Sequence, residues 1–95
     1  MRLRWTRLAL AQLREIADYI ERENPRAARH VVKTVRDQTM TLIAYPAIAR
    51  TGRVEGTREL LIPGLPYVAV YRIVGNTIEI LAVIHTSRRW PERQS

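Results

Sequence analysis

The side chains best equipped for chemistry gather near the end of the chain. His85, Arg88, Arg89 and Trp90 follow one another closely. A histidine exchanges a proton near neutral pH. An arginine fork pairs with a phosphate or carboxylate at two points. An indole stacks on a base or a cation. A second group, Arg50, Arg53 and Arg58, surrounds Gly52 and Gly56, and Arg72 follows downstream. Arg50, Arg53, Arg58, Arg72, Arg88, Arg89 and Trp90 are therefore candidate contacts to an anionic partner. His85 with Arg88 and Arg89 has the types needed for acid–base work beside a phosphate.

Each candidate also has a structural use. His85 can close the end of a strand. Trp90 can fold back on the helices and pin the C-terminus. The loop arginines can be solvated charges, and Arg58-Glu59 can form a cross-strand ion pair with Arg72 or Glu79. His30 is the only other histidine and there is no cysteine, so no metal site is expected. No cofactor-binding motif is present.

The elements that must position these residues follow from hydrophobic period. Leu3 and Trp5 alternate with Arg2 and Arg4, which predicts a short strand. Thr6 can cap a helix whose apolar stripe is Ala9, Leu13, Ile16, Ala17 and Ile20. Asn24-Pro25 breaks that helix and starts another, with Asn24 as cap and Pro25 at the first helical position. The second stripe is Ala28, Val31, Val32, Val35, Thr39, Leu42 and Ile43, stopped by Tyr45-Pro46. So short a connection requires an antiparallel helical hairpin. Residues 47–56 read as a loop. Strands are expected at about Thr57–Ile62, Tyr67–Val74 and Thr77–His85. Gly75-Asn76 reads as a tight hairpin turn. The run Ile78 to Ile84 is nearly all apolar, so that strand should be interior and covered on both faces. The order β-α-α-β-β-β predicts an α+β fold, a helical hairpin on a mostly antiparallel four-stranded sheet.

The 95 residues suffice for one domain, 1–95. Sixteen basic residues oppose nine acidic ones, and all the basic ones but Lys33 are arginine. The net charge of +7 implies an anionic partner: nucleic acid, ribosome or acidic protein. It is spread over both halves of the chain. No signal peptide and no membrane span are recognisable, and the absence of cysteine suits a cytoplasmic location.

In this order, Asn24-Pro25, Gly56-Thr57-Arg58-Glu59-Leu60, Pro66-Tyr67-Val68-Ala69-Val70-Tyr71-Arg72, Ile80 to His85 and Arg88-Arg89-Trp90-Pro91 resemble the RelE/ParE superfamily of toxins. The resemblance covers nearly the whole chain. It implies the toxin of a type II toxin–antitoxin pair, an inhibitor of growth and plasmid stabiliser held silent in a hetero-oligomeric complex. An acidic antitoxin segment would suit the basic surface. The superfamily has two branches. RelE-like members are ribosome-dependent messenger ribonucleases, metal-independent, with an arginine on the middle strand aimed at the scissile phosphate. ParE-like members carry no catalytic site and poison DNA gyrase. The position matching that arginine is Val68, and no tyrosine follows Tyr71. The resemblance therefore leans to the ParE-like branch, with the ribonuclease activity of His85, Arg88 and Arg89 as the alternative.

Overall fold

A computed structural model of the chain describes residues 1–91. Strand β1 (Arg2–Trp5) leads through Thr6 into helix α1 (Arg7–Glu21). The Thr6 hydroxyl accepts from the Ala9 N–H at 3.2 Å and donates to the Ile80 carbonyl at 2.8 Å. One side chain thus starts the helix and ties it to the sheet. Helix α2 (Pro25–Met40) begins as the dipeptide break predicts, with Asn24 Oδ1 accepting from the Ala27 N–H at 3.1 Å. Strands β2 (Arg50–Thr51), β3 (Thr57–Leu61), β4 (Tyr67–Val74) and β5 (Thr77–His85) follow.

The sheet order is β1-β5-β4-β3-β2. Among the described residues only β1 and β5 pair in parallel; the other three pairings are antiparallel. The helical hairpin packs on one face. Ala9, Leu13, Val31 and Val35 form the core there with Ala69, Tyr71, Ile78, Ile80 and Val83.

Three local expectations are corrected. First, the sheet has five strands among the described residues, because Arg50–Thr51, read as loop, pairs with Glu59 and Arg58. Two residues are too few for a period to show. Gly52 permits the pairing, since a Cβ there would lie 2.3 Å from Thr57 Oγ1. Second, α2 stops at Met40 and tightens into a 3-10 turn, Thr41–Ile43, which buries Leu42 but leaves Ile43 exposed. Third, β3 ends at Leu61, because the Ile62 N–H bonds the Tyr67 carbonyl at 3.0 Å to close the turn.

The apolar run in β5 is interior as expected, flanked by β1 and β4. It also carries a bulge that sequence period does not reveal. Val70 faces Ala82 while Tyr71 faces Ile80, so Leu81 has no partner on β4. An extra residue shifts every later side chain to the other face. Ile78 and Ile80 therefore point under the helices, whereas Ala82 and Ile84 belong to the opposite face.

Candidate functional site: the open sheet face and its C-terminal edge

The face away from the helices carries Val68 and Val70 from β4 with Ala82 and Ile84 from β5, all buried. Trp90 packs against this group. This corrects one alternative for Trp90: the indole closes on the sheet face opposite the helices, not on the hairpin. Val68 pairs directly with Ile84. A phosphate placed there would meet valine, isoleucine and indole, and an unpaired anion is costly against such a surface.

Two buried carboxylates flank the apolar centre. Glu79 on β5 is 8% exposed and pairs with Arg4 from β1 and with Arg72 from β4, whose Nε lies 2.7 Å away. Three adjacent strands thus form an Arg4–Glu79–Arg72 row. Glu59 on β3 is 9% exposed. It accepts from Arg50 of β2 at 3.1 Å and from the Arg53 backbone N–H at 3.1 Å. A buried carboxylate needs such partners to remain charged. Arg58 does not join either pair. Its guanidinium donates to the Ala47 and Ala49 carbonyls at 3.3 and 2.8 Å and holds the loop down. The expected pairing of Arg58-Glu59 with Arg72 or Glu79 is therefore corrected: Glu59 goes to Arg50, and Arg72 goes to Glu79.

Tyr67 and Tyr71 point to the helix side, as their spacing requires. Tyr71 is fully buried, and its hydroxyl donates to the Pro46 carbonyl at 2.7 Å. Burial raises its pKa above the usual 10.0, against smaller lowering effects from the Ala49 backbone and Arg58. Its role in anchoring the 46–49 segment was invisible in sequence, because the bond spans 25 residues.

His85 ends β5, exposed, at the C-terminal edge. Its Nδ1 accepts from the Ser87 N–H at 3.1 Å and lies 2.8 Å from Ser87 Oγ. The neutral ring then carries its proton on Nε2. The Tyr67 ring meets it edge-on, with centroids 5.8 Å apart. The turn is pinned where the Thr86 N–H bonds the Pro66 carbonyl at 2.9 Å. Beside it opens a cavity of about 560 Å³ between α1 and the ends of β4 and β5. Gln12, Glu15 and Tyr19 form its helical wall, and Tyr67, His85 and Arg88 line the strand side. Gln12 was not singled out by sequence, yet its Oε1 accepts from the Val83 N–H at 2.9 Å. It supplies the partner that β1, ending at Trp5, does not reach.

The geometry brings His85, Arg88 and Trp90 to one edge. It sends Arg50, Arg53 and Arg72 to carboxylates on the sheet face, through the backbone in the case of Arg53. Among the described residues no group of three or more histidine or acidic side chains could hold a metal ion. No helix there is long and apolar enough to cross a membrane.

Comparison with known proteins agrees with this architecture. The family model for the ParE toxin of type II toxin–antitoxin systems matches residues 3–90. The protein Y4kP of Sinorhizobium fredii, a toxin by name, is 44% identical over 91 residues, covering 96% of this chain and 94% of its own. Toxin RelE2 of Caulobacter vibrioides is 30% identical over 84 residues, covering 88% and 93%. A chain of the chromosomal ParDE toxin–antitoxin system of P. aeruginosa superposes with a TM-score of 0.82 at 32% identity, covering 90% of this chain and 95% of that one. With its α+β fold and a match across nearly its full length, the chain belongs to the ParE toxin family of type II toxin–antitoxin systems, within the RelE/ParE superfamily.

Proposed function

We propose that this toxin arrests growth by binding DNA gyrase, without catalysing a reaction itself, and that an antitoxin with an acidic segment silences it in the cytoplasm. Membership of a toxin–antitoxin family implies the antitoxin. The observation that carries the choice of target is Val68. It lies 5% exposed in an apolar group under Trp90, where the ribonuclease branch needs an arginine on a scissile phosphate. Two arginines of the same sheet face, Arg4 and Arg72, are paired with Glu79. His85 is left without a phosphate anchor on the same strands, and one of its ring nitrogens serves its own turn.

For binding, the C-terminal edge is the surface we assign: Arg88 and Arg89, which follow His85 and immediately precede Trp90. Arg50, Arg58 and Arg72 serve the fold on this reading. Arg53 keeps its guanidinium available to a partner, since only its backbone N–H is bonded to Glu59.

The test is to induce the toxin in cells without antitoxin and pulse-label DNA and protein synthesis. DNA synthesis should fall first, followed by filamentation. A prior stop in protein synthesis with cleaved transcripts would transfer the toxin to the ribonuclease reading.

A further inference from the structure

The arginines of the sheet face are engaged inside the molecule, and the cations without such partners lie elsewhere. Along α2, Arg26, Arg29, Lys33 and Arg36 are all exposed. At 100° per residue they fall within an arc of about 80°, away from the buried Ala28, Val31, Val35 and Thr39, and they span about 15 Å of helix. The helix holds a single acid, Asp37, paired with Lys33 at 2.6 Å. That pair is exposed and screened, so it leaves the lysine charge available. Arg26, Arg29 and Arg36 have no hydrogen-bond or ion-pair partner among the described residues. Helix α1, by contrast, carries Glu15, Asp18 and Glu21 against Arg7 and Arg14. Four cations against one acid thus line one face of α2, while α1 carries three acids against two arginines.

We infer that this α2 ridge binds the phosphate backbone of duplex DNA, so that the toxin grips DNA as well as protein. Duplex DNA presents one charge per about 1.7 Å of axis, dense enough for four cations along about 15 Å to be matched. Contacts to phosphates hold position without reading bases, so binding is indifferent to sequence. The choice of DNA over RNA rests on the gyrase reading; the ridge itself does not.

The test is fluorescence anisotropy of the full chain with short DNA and RNA duplexes of arbitrary sequence, over a salt series and without gyrase. The variant R26Q/R29Q/R36Q is compared with R2Q/R7Q/R14Q, which removes the same charge from exposed positions off the ridge. Each lost phosphate contact should lower the salt slope by about one. The ridge variant should bind DNA at least about tenfold more weakly, and the control within about threefold, at low salt. Equal losses in the two variants would mean diffuse attraction and overturn the proposal. So would displacement of the duplex by poly-L-glutamate at equal charge, which would make the ridge an acidic-polypeptide surface. An RNA duplex held tenfold more tightly than DNA would overturn the choice of DNA. Ridge-dependent DNA binding alongside normal gyrase activity would leave this inference standing and remove the gyrase reading alone.

Discussion

Tyr71 and Glu79 show how single side chains commit this sheet. Tyr71 fills the core beneath the helices and donates its hydroxyl to Pro46. Its pKa is raised by burial, so the folded state holds its proton more tightly than the unfolded chain. The resulting stabilisation is fully present below pH 10 and is lost as pH rises through the raised value. Tyr71→Phe should cost about 1 kcal/mol near neutrality, from the lost hydrogen bond. It should also flatten the alkaline fall in stability, as read by urea unfolding from pH 8 to 11. An unchanged alkaline slope would place that titration elsewhere. Glu79 makes a related point about the arginines. Arg72 looks like a binding residue in sequence, but a buried carboxylate two strand positions from the β4–β5 turn takes its guanidinium. R4Q/R72Q would leave that carboxylate without an ionic partner. The double variant should lose about 1–3 kcal/mol of stability in urea unfolding. Inhibition by the fraction that remains folded should not change. Loss of activity at full stability would return Arg72 to the binding surface.

At the scale of elements, the helices and the three long strands were legible because their periods persist over many residues. Asn24-Pro25 and Gly75-Asn76 marked their boundaries through backbone restriction. Only Gly75 of the latter pair uses a positive φ, 58°. Two features of the sheet were not legible, and both depend on partners distant in sequence. β2 is defined by its pairing with β3, and the β5 bulge is a matter of register with β4. That bulge decides which face receives Ala82 and Ile84, and therefore where Trp90 can pack. The site was legible in its residue types and in Val68. It was not legible in its commitments, since the partners of Arg50, Arg58 and Arg72 come from neighbouring strands or the loop. Gly52 tests the short edge strand. A methyl group there would meet Thr57 Oγ1 at 2.3 Å, with backbone atoms at 3.1 Å close behind. Gly52→Ala should cost about 1–3 kcal/mol. It should also speed amide exchange at the Gly52 N–H, which bonds the Thr57 carbonyl at 2.8 Å. Wild-type exchange in a stable variant would show that β2 tolerates the insertion.

For the whole molecule, a net charge of +7 proved less informative than its distribution. Charges on the open sheet face are largely satisfied by Glu59 and Glu79. The helical hairpin divides into an acidic α1 and a basic α2. An apolar surface closed by Trp90 occupies the place where phosphate chemistry would need a cation. This arrangement suits a protein that holds a macromolecular target more than one that cuts a phosphodiester. The most direct measurement is supercoiling by purified gyrase in the presence of the wild-type toxin and of His85→Ala. Inhibition by both is predicted, within about twofold of one another, since an acid–base residue would contribute about 10²-fold or more. Unimpaired supercoiling at saturating wild-type toxin, with messenger cleavage on ribosomes that disappears in His85→Ala, would contradict it.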